Sequence, residues 1–124
     1  MKNALNWFEI PVKDFTTAKT FYEAVMATEM EIMEMKELGS VMAFFPSDME
    51  FGVGGSIIHG PGYEPSQTGA LVYLNGGEDL AVPLARVEAA GGQVIVPKTS
   101  IGEHGYIAQF IDPDGNRVAF HSVN

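Results

Sequence analysis

Residues 105–117 read GYIAQFIDPDGNR, and the strongest fold signal in the chain lies here. Tyr106–Ile111 is a short run of apolar, aromatic and β-branched residues, which predicts a strand. Residues 112–116 combine Asp, Pro, Gly and Asn, each of which favours a turn for its own physical reason. Arg117–Ser122 returns to an alternating pattern. The stretch therefore predicts two strands joined by a tight turn.

The elements that come before residue 105 in the sequence complete one unit of secondary structure. Gln93–Val96 predicts another strand, and Gly91-Gly92 ends a helix before it. That helix is capped by Glu78 or Asp79. Its apolar stripe is Leu80, Leu84, Val87 and Ala90, with Pro83 near the first turn. A strand at Ala70–Asn75 opens the unit, so the order is strand, helix and three strands.

The first half of the chain has the same order. Leu5–Val12 predicts a strand, and Asp14 reads as the N-cap of an amphipathic helix. Three further strands are predicted at Glu29–Met35, Ser40–Phe45 and Val53–His59. Asp14 and Asp79 lie 65 residues apart, close to half of the 124-residue chain, which indicates a duplicated unit.

We therefore predict a single α+β domain spanning residues 1–124, made of two βαβββ repeats. The first module covers residues 1–59 and the second covers 69–124. Residues 60–68, rich in Gly and Pro, form the linker. Because neither half buries its sheet alone, the two curved mixed sheets are expected to enclose a shared cavity suited to a small molecule.

Composition restricts the classes of partner. Sixteen acidic and seven basic residues give a formal charge of −9, which disfavours nucleic acids and anionic membranes. No apolar run is long enough to span a bilayer, and nothing in residues 1–5 suggests a secretory signal. The chain has no cysteine, which suits a reducing cytoplasm. We expect a cytoplasmic protein.

Three segments together resemble the vicinal-oxygen-chelate superfamily, which includes glyoxalase I, bleomycin-resistance proteins and extradiol dioxygenases. They are Phe8–Asp14 leading into Ala18–Tyr22, the helix end at Val87–Gly92, and residues 105–117. The last is the most specific. The resemblance implies the two-module fold described above and, since many relatives pair, a homodimer.

The resemblance also implies a divalent metal, held by His, Gln or Glu from the first and last strands of each module. The matching positions here are Trp7, a position near Leu71, and Ala119. None of these side chains can ligate a metal ion, so we predict that the usual metal site is missing. Ordinary glyoxalase I or dioxygenase activity would be lost with it.

Two residues are candidates for acid–base chemistry, Glu9 and His121. Glu9 shares a strand face with Trp7; if it were buried, its pKa would rise and suit general acid or base catalysis. The structural alternative is a carboxylate paired with a basic residue such as Arg117 or with backbone N–H groups. A sharper hypothesis joins Glu9, His59 and His121 in a shifted metal site.

Aromatic and small apolar side chains define the predicted ligand-binding surface. The residues are Trp7, Phe44, Leu71, Tyr73, Tyr106, Phe110 and Ala119. Plain core packing is the alternative for the tyrosines. His104 lies in a glycine-flanked connection, which is either a lid at the pocket mouth or an ordinary exposed loop.

The sequence is compatible with three functions. The first is a metal-free protein that binds a small apolar or aromatic molecule, and a cationic aromatic ligand would suit the charge of −9. The second is a lyase, isomerase or hydrolase that uses Glu9 or His121. The third is a protein-interaction domain with a vestigial pocket.

Overall fold

The computed structural model describes residues 3–48, 50 and 52–124. The first module contains β1 (Trp7–Pro11), α1 (Phe15–Met26), β2 (Glu31–Met35), β3 (Ser40–Phe44) and β4 (Gly54–His59). The second contains β5 (Val72–Asn75), α2 (Ala81–Leu84), β6 (Gln93–Ser100), β7 (Tyr106–Ile111) and β8 (Arg117–Ser122). The predicted strands are all present, and most differences are a residue or two at their ends.

The two modules have the same sheet topology. One sheet, sheet A, has the strand order β1-β4-β3-β2, and the other, sheet B, has the order β5-β8-β7-β6. The pair β1 and β4 in sheet A and the pair β5 and β8 in sheet B are parallel. The other two pairs in each sheet are antiparallel. The predicted α+β fold with two βαβββ units is confirmed.

Helix α1 holds the two modules together. Asp14 caps its first turn by accepting a hydrogen bond from the Thr17 N–H at 3.0 Å, as predicted. Its buried residues are Ala18, Phe21, Tyr22 and Val25. They belong to one continuous core that also includes Phe110, Val118 and Phe120 of sheet B. The hydrophobic core is therefore shared between the modules.

The second helix is shorter than the apolar stripe predicted. Only residues Ala81–Leu84 are α-helical, and turns continue to Gly91. The N–H groups of Arg86 and Val87 bond three residues back, to Pro83 and Leu84, which is the tighter pattern of a 3₁₀ turn. The stripe is nevertheless buried at Leu80 and Val87.

Strand β6 is longer than predicted, running to Ser100 instead of Val96. Its pairing with β7 shifts register between Val94 and Val96 and again before Thr99. Such bulges break the alternation by which a strand is recognised in sequence.

No helix in the described part of the chain is long and apolar enough to cross a membrane.

Candidate functional sites

The backbone hydrogen bonds that close each module give the residue-by-residue match between the repeats. The Val12 N–H donates to the Ile58 carbonyl, and the Gly76 N–H donates to the His121 carbonyl, both at 2.8 Å. Counting back along the paired strands matches Glu9 with Tyr73, Ser56 with Ala119 and Trp7 with Leu71. The five of these residues that lie in strands are on the sheet faces turned away from the shared core, which we call the opposite faces, and Leu71 directly precedes β5.

A pocket of about 650 Å³ lies where β1 and β5 border each other, and we call it the inter-module pocket. This volume is in the range typical of small-molecule sites. Its walls are mainly apolar and come from both modules. They include Leu5, Phe8, Met26, Phe45, Leu71 and Tyr73. Glu9, Asn75 and the Tyr73 hydroxyl supply its polar groups.

Glu9 is exposed at the border between the modules. The burial on which its acid–base hypothesis depended is therefore absent. The proposed partner Arg117 donates to the Gln109 side chain at 3.3 Å instead. Among the residues that the structure describes, the Glu9 carboxylate has no hydrogen bond or ion pair, so it is available to a ligand.

His121 lies in a second pocket, of about 830 Å³, on the opposite face of sheet B. We call it the sheet B pocket; Tyr73, Asn75, Ile101 and Ile107 also line it. The His121 Nε2 lies 2.7 Å from the carbonyl oxygen of His104, in the short turn Gly102–His104. Glu9 and His121 thus line different pockets.

The shifted metal site at Glu9, His59 and His121 is wrong. His59 is three residues beyond Ser56 on β4, so it lies on the other face of sheet A from Glu9. Its Nδ1 bonds the carbonyl of Val12 at 3.0 Å. In the part of the chain that the structure describes, no group of three or more acidic or histidine side chains is placed to hold a metal ion.

Two predicted ligand-binding residues lie on the core side of sheet B. Phe110 is fully buried and stacks against Phe21 and Phe120. Tyr106 packs against the core, with the Lys98 ammonium 4.5 Å from its ring centre. Both residues were predicted to line the ligand pocket, and this was wrong because they lie on the core face of β7. Ile107 and Gln109, which alternate with them along the strand, occupy the opposite face.

The other predicted residues lie on the opposite faces. Tyr73 is 49% exposed and borders both pockets. Trp7 and Phe44 meet edge to face at 5.8 Å and line a separate, smaller pocket on sheet A. Ala119 is buried between Tyr73 and Gln109 on the neighbouring strands.

Sequence reasoning missed Asn75, Phe8, Phe45 and Ile107 as pocket residues. The signal for Asn75 was present, because it lies two residues from Tyr73 and so shares its face. Phe8 and Phe45 stack at 5.5 Å at the edge of sheet A. Their position at the border between the modules depends on how the sheets pack, which periodicity does not report.

Asp112 and Asn116 of the turn connect the two modules. Asp112 accepts hydrogen bonds from the Tyr22 hydroxyl at 2.7 Å and from the N–H of Asn116 at 2.9 Å. The Asn116 amide donates to the carbonyl of Pro11 at 2.7 Å. Burial raises the pKa of Asp112, against the lowering effect of these hydrogen bonds.

Comparison with known proteins agrees with this architecture. Residues 4–120 match the model of the Glyoxalase/Bleomycin resistance protein/Dioxygenase superfamily, and the chain belongs to that superfamily. No curated protein gives a significant sequence match.

Solved structures share the fold at low sequence identity. Glyoxalase I from Zea mays superposes with a TM-score of 0.67 at 17% identity over 94% of this chain, which spans 44% of the maize protein. A fosfomycin resistance protein from Listeria monocytogenes gives 0.65 at 18% identity, covering 100% of this chain and 94% of that one. Glyoxalase I from Leishmania major gives 0.68 at 14% identity, covering 98% and 87%.

Proposed function

We propose that this protein binds a small, largely apolar cation in the inter-module pocket without a metal ion at the superfamily's usual place. The observation that carries the proposal is the pocket itself, with apolar walls from both modules and one carboxylate, Glu9. The formal charge of −9 adds a long-range attraction for cations.

The residues at the superfamily's metal positions support the metal-free part of the proposal. Trp7, Leu71 and Ala119 offer an indole, an isobutyl group and a methyl group, which do not fit a divalent ion. Ser56, the repeat partner of Ala119, offers a single hydroxyl. Of these four side chains, Leu71 lines the inter-module pocket, where it offers an apolar contact to an organic ligand.

The pocket also favours a flat, aromatic ligand. The Tyr73 ring is half exposed at the pocket wall, and its hydroxyl is available for a hydrogen bond. Phe8 and Phe45 form an aromatic pair on another wall. Aromatic faces attract cations as well as flat apolar groups, so these walls and Glu9 select for the same chemistry.

A charge series of one ring system tests this proposal. We expect 2-naphthylmethylamine to bind more tightly than neutral 2-methylnaphthalene and anionic 2-naphthoate, measured by thermal shift and by isothermal titration calorimetry. Glu9→Gln should remove the preference for the amine. Glu37→Gln makes the same change in net charge at an exposed turn and serves as the control.

Two results would overturn the proposal. One is binding of the naphthoate as tightly as the amine, and the other is an unchanged preference in Glu9→Gln. Leu71→Asp tests the wall of the pocket, because a carboxylate there should weaken the neutral probe.

A cytoplasmic homodimer completes the proposal. Three large apolar side chains, Ile32, Met33 and Leu38, are exposed on β2 and the turn after it, at the edge of sheet A. Burying them against a second copy would explain their exposure. Light scattering at several concentrations measures the mass, and a monomer throughout would contradict this part.

A further inference from the structure

We propose that the sheet B pocket is a second binding site, which recognises a carboxamide group on an aromatic or apolar molecule through His121 and Asn75. The sheet B pocket shares Tyr73 and Asn75 with the inter-module pocket but contains His121 instead of Glu9, so it presents two neutral polar groups and suits another chemical class. The two side chains are direct cross-strand neighbours, since Asn75 on β5 pairs with His121 on β8.

The hydrogen bond at one edge of the His121 ring fixes its tautomer. A carbonyl oxygen can only accept a hydrogen bond, so the Nε2 that lies 2.7 Å from the His104 oxygen must carry a hydrogen. In the neutral ring, Nδ1 is then a bare acceptor. It has no hydrogen-bond partner among the residues that the structure describes.

The turn that supplies this carbonyl is itself held in place. The Gly105 N–H donates to the Gly102 carbonyl at 3.2 Å, and the Ile101 N–H donates to the Gly105 carbonyl at 2.8 Å. The His104 carbonyl is therefore positioned by backbone, and the His104 side chain is not required. The ring of His121 is oriented before any ligand arrives.

The side chain of Asn75 is oriented in the same way. Its Oδ1 accepts a hydrogen bond from the Gly77 N–H at 2.8 Å, which assigns the oxygen and nitrogen of the amide. The Nδ2 group is left with donors that no described residue uses. A bare acceptor and a free donor thus stand side by side on one sheet face.

This pair matches a carboxamide. The N–H of such a group donates to His121 Nδ1 while its carbonyl accepts from Asn75 Nδ2, so both protein groups are satisfied together. An ester only accepts and an ammonium only donates, so each leaves one protein group without a partner. The surrounding side chains of Tyr73, Ile101 and Ile107 are apolar surfaces for the rest of the molecule.

Benzamide is the probe for this site, and methyl benzoate, which has the same ring but no donor, is its matched control. Binding is measured by ¹H–¹⁵N NMR titration of the full chain. We expect a roughly millimolar dissociation constant for so small a ligand. Signals of Ile107 and Val123 should shift, and methyl benzoate should bind about tenfold more weakly.

Substitutions separate the two recognition groups from their surroundings. His121→Phe keeps the ring but removes Nδ1, and Asn75→Asp keeps the acceptor for Gly77 but replaces the donor. Each should weaken benzamide about tenfold or more. His104→Ala, which retains the backbone carbonyl, and His59→Phe, on the other sheet, should change binding less than about twofold.

Three results would overturn the inference: equal binding of benzamide and methyl benzoate, equal loss in His104→Ala and His121→Phe, or a His121 ring protonated at Nδ1 in the long-range ¹H–¹⁵N spectrum of the unsubstituted protein. That spectrum needs no variant, so misfolding of one does not decide the matter. Glu9→Gln should leave benzamide binding unchanged, which separates this site from the inter-module pocket.

Discussion

Asp112, in the second module, is joined to Tyr22 of the first module by a buried hydrogen bond of 2.7 Å. It is 3% exposed and accepts hydrogen bonds from Tyr22, Asp114 and Asn116. Burial raises the pKa of its carboxyl group, and the neighbouring Asp114 charge acts in the same direction. Its ionisation therefore costs the folded state free energy even though its hydrogen bonds are satisfied.

The pKa shift of Asp112 predicts a pH dependence of stability. Because the folded pKa is higher than the unfolded value of about 3.9, its contribution is fully present below that value and is lost as pH rises through the folded pKa. The stability of the unsubstituted protein relative to Asp112→Asn, which does not titrate, should fall over that range. Urea unfolding of both proteins at several pH values measures the difference in free energy of unfolding. If the unsubstituted protein became more stable relative to Asp112→Asn as the pH rises, the assignment would be contradicted.

Ser56 carries a buried hydroxyl that has no hydrogen-bond partner among the described residues. Its repeat partner is Ala119, which fills the same place with a methyl group. Removing an unsatisfied buried hydroxyl should stabilise the fold, by about 1 kcal/mol. Ser56→Ala should therefore raise the urea midpoint. A lower midpoint would mean that the hydroxyl is satisfied in solution.

At the scale of elements, the turn of residues 112–116 also fastens the start of α1. One carboxylate oxygen of Asp114 accepts from the N–H groups of Lys13 and Asp14, both at 2.9 Å. The turn of one module thereby caps the helix of the other. The turn residues therefore contribute to contacts between the modules, whereas the turn of a solvent-exposed hairpin would only join two strands.

Removing the Asp114 carboxylate should loosen the start of α1. Asp114→Ala is expected to cost about 1–2 kcal/mol, as the loss of a helix cap does, and to speed amide exchange at Lys13 and Asp14. Glu64→Ala is a suitable control because Glu64 only forms an exposed ion pair with Lys13 at 3.2 Å, which contributes little. Equal destabilisation by both would show that the cap is unimportant.

Gly105 fixes the turn that orients His121. It has φ of +103°, and a Cβ there would collide with the carbonyl oxygen of Ser122. Gly105→Ala should cost about 1–3 kcal/mol and displace residues 102–104 from the His121 ring. A lower melting temperature together with a changed His121 ring ¹⁵N spectrum checks this. An unchanged spectrum would show that the turn tolerates the side chain.

Elements whose sequence signals are local were predicted well. The bounds of β7 and β8 and the cap at Asp14 follow from alternation and from turn and cap chemistry. The extent of α2 and the bulges of β6 were not predicted, because the apolar pattern reports neither the three-residue hydrogen bonds after Leu84 nor the register shifts in the pairing with β7. Assigning Phe110 to the pocket failed because alternation does not say which face the core covers.

At the scale of the whole molecule, the shared core makes each module depend on the other. Phe21 of α1 contacts Phe110 of sheet B at 5.9 Å between ring centres, and the Arg86 side chain donates to the Val25 carbonyl at 3.0 Å. In the part of the chain that the structure describes, the buried apolar side chains of both modules belong to one cluster. Both candidate pockets include β5, which borders the first module, so their shape depends on this packing as well.

A shared core predicts that the two modules unfold together. Val87→Ala removes a fully buried side chain in the second module and should cost about 1.5–3 kcal/mol. Trp7, in the first module, packs on Phe44 of the same sheet and reports on that module by fluorescence. If unfolding is cooperative, the substitution shifts the Trp7 transition and the circular dichroism transition by the same amount. A shift in circular dichroism alone would show that the modules unfold separately. Trp7→Phe supplies the fluorescence baseline, because it removes the tryptophan signal while keeping an aromatic contact with Phe44.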